Sequence, residues 1–206
     1  HEQALQLLGE MHYQEGNYAE AATALRRALD QNPRNLQRWI QAGAAFLQAD
    51  QPVEAIDTAE EGLLLFPGQV PLVRIAAQGL LTLNRNEAAI DRFETLRGLL
   101  AETDAPPPRR ADVLATLGLL YNRMGDMDAS DRAYQEAIAL DDKHSMALNN
   151  YAYSLAQRGD RFLITTNDRH RNFRLVEAPV AAPQEANWRE LMAGSEAVYL
   201  LGAVGF

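Results

Sequence analysis

The chain has 206 residues, 47% of them hydrophobic, no cysteine and a formal net charge of −9. That length accommodates one or two domains with a packed core, the missing thiols exclude disulfides and thiolate metal sites, and the acidic balance opposes docking to nucleic-acid phosphates. The longest apolar run, Ala197 to Phe206, has 10 residues, short of the roughly 18 that a membrane-spanning helix needs.

A spacing of 34 residues organises the first part of the chain: Gly9 returns as Gly43, Ala21 as Ala55, Ala28 as Gly62 and Pro33 as Pro67. In the first unit, Leu5, Leu8 and Gly9 precede the turn Glu15-Gly16-Asn17, and Tyr18, Ala21, Leu25 and Ala28 follow it. Steps of three and four on each side predict two amphipathic helices. Gly9 and Ala21 let the two backbones approach, and Pro33 stops the second helix by forcing its predecessor out of helical conformation. The second unit repeats this with Trp39, Ala42, Gly43 and Phe46, then Ala55 and Ala59, and Pro67 as the stop.

The third unit carries Val73, Ala76, Ala77 and Leu80, then Asn84, Ala89 and Phe93, without a terminal proline. From Asn84 to Gly125 is 41 residues where the period gives 34. Pro106-Pro107-Pro108 lies in that excess and reads as a stiff, exposed connector. The fourth unit restores the pattern with Leu114, Leu117, Gly118 and Tyr121, the turn Gly125-Asp126-Met127, then Tyr134 and Ala137. Ala147 to Arg158, with Leu148, Tyr151, Ala152 and Leu155, supplies a fifth first helix ending at Gly159-Asp160.

This succession of aromatic, small pair, aromatic, Ala and Pro resembles the tetratricopeptide repeat signature. The resemblance implies a mainly α fold, a right-handed α-solenoid over residues 1–160 with four full repeats and a half repeat. It also implies that the first helix of each hairpin lines a concave groove. The matching groove positions are Gln6, Glu10, Tyr13, Gln37, Arg74, Gln78, Asn122, Arg123, Asn149 and Tyr153. Their amides, tyrosines and arginines suit an extended peptide backbone or a partner helix, and an ordinary solvated helix face is the competing reading. A Lys-rich set for clamping a C-terminal carboxylate is missing.

After Gly159-Asp160 the helical pattern breaks. Arg161 to Thr166 is aromatic and β-branched and reads as a strand, Asn167 to Asn172 as a turn, and Phe173 to Val176 as a second strand. Pro183 to Asn187 reads as a loop and Ala197 to Leu201 as a third strand, giving a short C-terminal antiparallel β segment over residues 161–206. Gly159 to Asp168, Asn172 to Val176 and Asn187-Trp188 resemble a propeller blade of the prolyl oligopeptidase family, oligopeptidase B in particular. In that family the activity resides in a separate hydrolase domain, so no catalytic residue carries over. The join near Gly159-Asp160 is that of a splice, which a natural fusion, an engineered one or an assembled reading frame would each produce.

Chemistry finds few candidates. The G-x-S-x-G elbow and a glycine-rich phosphate loop are missing, and Ser130, Ser145 and Ser154 read as packing or helix-start residues. His12 reads as a packing residue, and His144 with Asp141 makes at most a weak metal pair. No catalytic residue, metal or cofactor is therefore expected, and the expected function is a non-catalytic scaffold for a protein or peptide partner. The alternative is a fragment or fusion related to a serine peptidase, lacking its catalytic domain. Self-association through the C-terminal strands is a further expectation. Because the sequence starts at His1, it reads as a processed product or an excised piece. The expected location is cytoplasmic, or periplasmic if an export signal preceded His1.

Overall fold

The structure, a computed structural model, describes residues 2–158, 161–166, 174–179, 186 and 189–192. The chain divides into two compact units, His1–Ala105 and Pro106–Phe206. The first holds three helical hairpins: α1 (Glu2–Gln14) with α2 (Tyr18–Gln31), α3 (Leu36–Gln48) with α4 (Pro52–Leu65), and α5 (Val70–Thr82) with α6 (Asn86–Glu102). The second holds the hairpin of α7 (Pro107–Met124) and α8 (Met127–Leu140), the single helix α9 (Ser145–Arg158), and strands β1 (Arg161–Thr166), β2 (Arg174–Pro179) and β3 (Arg189–Met192). The fold class is mainly α, a solenoid of helix hairpins with a short antiparallel sheet.

Each hairpin turns on one residue in left-handed conformation. Gly16, Asp50, Asn84 and Gly125 have φ of 80°, 56°, 54° and 82° and stand at the same place in their units. The same bond to the carbonyl five residues back closes every turn: Asn17 N–H to His12 O, Gln51 to Phe46, Arg85 to Leu80 and Asp126 to Tyr121, all 2.9–3.0 Å. Such bonds satisfy carbonyls that the helix end leaves open. Helix starts are equally specified. Asn35 accepts from Arg38 N–H at 3.1 Å, Asp126 accepts from Ala129 N–H at 2.9 Å, and Pro52 sits in the first turn of α4.

The prolines at 106–108 correct the sequence reading. They are exposed as expected, yet they do not form a connector: Pro106 is the N-cap and Pro107 the first residue of α7. A proline's fixed φ and missing N–H suit a first helical turn. The extra residues of this region lengthen helices, since α6 and α7 have 17 and 18 residues where the other helices have 13 or 14.

Small residues set the packing distance. A Cβ on Gly9 would come within 2.7 Å of Leu25 Cγ, and one on Gly118 within 2.6 Å of the Tyr134 ring. In the first unit Ala21, Ala42, Ala55, Ala59 and Ala76 are fully buried between helices, with Leu25, Leu29, Trp39 and Leu72 filling the space beside them. In the second, Ala111, Leu114, Tyr134, Ala137, Tyr151 and Leu155 form the core.

Arg38 departs from this apolar rule. Its counterparts one period on in each later first helix are Leu72, Val113 and Ala147, all buried, and Arg38 itself is only 2% exposed. Its Nη2 donates to Glu2 Oε1 and Gln6 Oε1, both at 2.8 Å, and Nη1 reaches the carbonyls of Ala28 and Asn32 at 3.4 Å. The guanidinium thus ties α1 and α2 to α3. Arg38→Leu fills the volume but leaves Glu2 and Gln6 without their donor, so it is expected to cost about 1–2 kcal/mol. Arg38→Ala, which leaves a void and bare carbonyls, should cost about 2–4 kcal/mol in urea unfolding. Hydrogen bonds from Arg38 and Asn32 hold the Glu2 carboxyl below its ordinary 4.5. That contribution is present above pH 4.5 and is lost as pH falls through the folded value; Arg38→Leu should flatten this acid limb.

In the second unit β1 pairs antiparallel with β2, Arg161 opposite Pro179 and Thr166 opposite Arg174. β2 pairs with β3, Glu177 opposite Arg189, with an irregularity between Leu175 and Val176. β1 packs on α9, Val176 is fully buried, and Arg189 Nη2 donates to Tyr151 Oη on α9 at 3.1 Å. The sheet therefore packs against the half repeat's single helix. The first strand agrees with the sequence reading, and the second runs from Arg174 to Pro179 rather than from Phe173 to Val176. The third is Arg189–Met192, which the sequence reading left unassigned. The expected turn at 167–172 and strand at 197–201 lie outside the described residues.

Candidate partner-binding groove

The first helices of the hairpins carry the predicted groove residues: α1, α3 and α5 in the first unit, α7 and α9 in the second. α3 lies directly against α5, whereas α1 makes no comparable contact with α3. The space between α1 and α3 is a cleft of about 400 Å³ lined by Glu10, Tyr13 and Gln14 on α1, Ile40, Gln41 and Ala44 on α3, and Leu25. The close approach of Gly9 to Leu25 brings that leucine up from α2 to form the floor. An apolar base of Leu25, Ile40 and Ala44 is thus framed by two amides, a carboxylate and a phenol.

Of the ten predicted residues, Glu10 and Tyr13 line this cleft. Tyr13 is 40% exposed and packs edge-on against Tyr18 at 5.1 Å. Gln6 is occupied from both ends: its Nε2 donates to Glu10 Oε1 at 3.0 Å and its carbonyl accepts from Arg38. It therefore links Arg38 to Glu10 and orients that carboxylate. Gln37, Arg74 and Gln78 are exposed on α3 and α5.

In the second unit Arg123, Asn149 and Tyr153 are exposed, Tyr153 by 62%. Asn122 is half-buried and joins α7 to α9, its Nδ2 donating to Ser154 Oγ at 3.0 Å. Sequence reasoning missed Gln14, Leu25, Ile40, Gln41 and Ala44. Ile40 and Ala44 follow Gln6 and Glu10 by one period, so register pointed to them while the preference for polar groups passed over them.

His144 corrects the sequence reading of a pair with Asp141. Its Nδ1 accepts from Ala147 N–H at 3.1 Å, so the imidazole caps α9. With Nδ1 accepting, Nε2 carries the proton and donates to Asp112 Oδ1 at 3.0 Å. Asp141 caps its own turn by accepting from Lys143 N–H at 3.1 Å. Ser130 is fully buried and donates to Gly118 O at 2.8 Å. Among the described residues no three His, Cys, Asp or Glu side chains gather into a cluster able to hold a metal ion. Nor, among them, is any helix long and apolar enough to cross a membrane.

Residues 12–81 and 111–144 match the tetratricopeptide repeat family. Residues 141–205 match the N-terminal beta-propeller domain of prolyl oligopeptidase, a match that begins in the turn before α9. No curated protein matches the sequence at a significant level. Among solved structures, the crystal structure of MamA superposes with a TM-score of 0.66 at 21% identity, covering 74% of this chain and 85% of that one. MamA residues 41 to the end from Desulfovibrio magneticus RS-1 superpose with 0.67 at 18% identity, covering 77% and 86%. PilF from Pseudomonas aeruginosa gives 0.60 at 20% identity, covering 77% and 69%. At these identities the likeness is one of fold.

Proposed function

We propose that this chain, whose residues 12–81 and 111–144 are tetratricopeptide repeats, is a non-catalytic scaffold holding an extended peptide or partner helix against its first helices. The observation that supports this reading most is the cleft between α1 and α3. Its apolar floor suits one aliphatic or aromatic anchor, and the amides of Gln14 and Gln41 suit the ligand's backbone groups. Glu10, already oriented by Gln6, favours a basic residue beside the anchor, in keeping with the net charge of −9. A nucleic-acid partner does not suit that charge. The second unit, taken by itself, exposes Arg123, Asn149 and Tyr153 on its own first helices. Ser130 and Ser154 hydrogen-bond between helices and His144 caps α9, roles that suit a scaffold.

Peptides selected from a random display library against the full chain would test the reading. Tyr13→Ala and Gln41→Ala are each expected to weaken the selected peptides about tenfold, the effect of losing an anchoring contact, with the far-ultraviolet circular dichroism unchanged. Peptides that bind both variants as they bind the parent would overturn the assignment to this cleft. The peptidase reading expects turnover of fluorogenic peptides after basic residues; the scaffold reading expects none.

A further inference from the structure

The first helices of the first unit carry their charges unevenly. Their acidic and basic side chains are Glu2, Glu10 and His12 on α1, Arg38 on α3 and Arg74 on α5. Glu2 and Arg38 pair with each other at 2.8 Å, and His12 Nδ1 lies 3.7 Å from Glu15 Oε2 in the turn after α1. That leaves Glu10 on one wall of the cleft and Arg74 two helices away. Arg74 is exposed and makes no ion pair or hydrogen bond among the described residues. Neither α3 nor α5 contains an aspartate or glutamate, so its own helix and the first helix packed beside it offer this guanidinium no counter-charge. On the second helices the opposite holds: Arg26 of α2 meets Glu61 of α4 at 2.6 Å, and Arg92 of α6 meets Glu60 at 2.8 Å.

Register places Arg74 beside the cleft floor. It follows Ile40 by one period of 34 residues, as Gln78 follows Ala44, and the adjacent Ile75 is buried against Gly43 of α3. A chain crossing the first helices therefore meets Glu10 on α1, then Ile40 and Ala44 on α3, then Arg74 on α5. We propose that Arg74 selects the ligand's second charge, an inference that rests on the peptide reading of the cleft: it takes a carboxylate side chain on the side of the anchor away from the basic residue that Glu10 favours. Neighbouring helix axes lie about 8–10 Å apart and an extended chain advances about 3.3 Å per residue, so the carboxylate belongs about two to four residues beyond the anchor. The order basic, apolar, acidic then fixes how the ligand lies across the helices, because the reverse order sets like charges together at both ends.

A random peptide display library panned in parallel against the full chain and against its Arg74→Glu variant tests this. Peptides selected by the parent are expected to carry Asp or Glu at that spacing, and those selected by the variant to carry Lys or Arg there. In fluorescence anisotropy, Arg74→Gln should weaken the parent's peptides about threefold to fivefold, the size of an exposed pair, and Arg74→Glu about tenfold or more. Exchanging the peptide's carboxylate for lysine should restore its affinity for the Arg74→Glu variant to within about threefold of the parent pair. Added salt should narrow the gap between the parent and Arg74→Gln. The position is on the surface, and unchanged circular dichroism confirms folding. Peptides that Tyr13→Ala weakens but neither Arg74 variant affects would overturn the role of Arg74 and leave the cleft as the peptide site. Selected peptides whose acidic and basic residues lie on the same side of the anchor would overturn the charge order. A library that yields no binder, or binders indifferent to changes at Tyr13, Gln41 and Arg74 alike, would overturn both.

Discussion

Replacing Trp39 by alanine is expected to cost about 3–5 kcal/mol, the range for truncating a buried large aromatic. Trp39 is 3% exposed and belongs to the first unit's core with Ala21, Leu25 and Leu29 of α2 and Ala59, Leu72 and Ala76 of α4 and α5. Its Nε1 donates to Pro33 O at 2.8 Å, and the Arg26 guanidinium lies 5.2 Å from the ring centroid. A Cβ on Gly62 would come within 3.2 Å of Trp39 Cβ and Cγ, so α4 is shaped around the indole. Hairpins in such an array gain their stability from neighbours, so loss of this contact loosens α2 and α4 together. Trp39→Phe keeps most of the packing and loses one hydrogen bond to a carbonyl that water can reach, which should cost about 1–2 kcal/mol. Urea unfolding followed by circular dichroism measures both; an alanine variant within about 1 kcal/mol of the parent would contradict this placement of the ring.

The repeat was legible because its evidence is local. Gly9, Gly43 and Gly118 sit where a side chain would strike the facing helix, and steric need of that kind writes itself into the sequence as a small residue. The turns were only half legible: Gly16 and Gly125 announce left-handed backbone, while Asp50 and Asn84 adopt the same conformation without glycine's signal. Partners distant in sequence were hidden. His144 and Asp112 stand 32 residues apart, and no spacing along a single helix relates them. Arg38 shares its place in the register with Leu72 and is buried as that residue is, which a charged side chain does not announce. β3 has no β-branched residue in Arg-Glu-Leu-Met, so its conformation comes from pairing with β2 rather than from propensity. Of the residues lining the cleft, Glu10 and Tyr13 were among those named from the sequence, while Gln14, Gln41 and the apolar floor were not, since Ile40 and Ala44 also satisfy the pattern of an ordinary core-facing helix.

The second large effect lies in the contact of Gly118 with Tyr134. In an open helix Gly→Ala gains about 1 kcal/mol, yet here the new methyl would stand 2.6 Å from Tyr134 Cε1 and 2.7 Å from Cδ1. The ring has little room to yield, being 1% exposed and set against Tyr151 at a centroid distance of 6.0 Å. Ser130, bonded to the Gly118 carbonyl, fixes the approach of α8 to α7. Overpacking of this kind costs 1–3 kcal/mol or more, so Gly118→Ala is expected to destabilise the second unit by about 2 kcal/mol despite the gain in helix propensity. Tyr134→Leu removes the ring atoms that the methyl strikes. The double variant should therefore be more stable than the two single effects predict, by about 1 kcal/mol or more. Strict additivity would show that the ring does not lie on Gly118. The buried phenol supplies an independent readout, since burial pushes Tyr134 up from 10.0 to about 12. A group raised in this way contributes stability that is whole below pH 10 and is lost as pH rises towards 12, because the unfolded chain ionises first. Tyr134→Phe should reduce that alkaline loss by about 2–3 kcal/mol, whereas a loss as steep as the parent's would mean that this hydroxyl ionises as freely in the folded unit as in water.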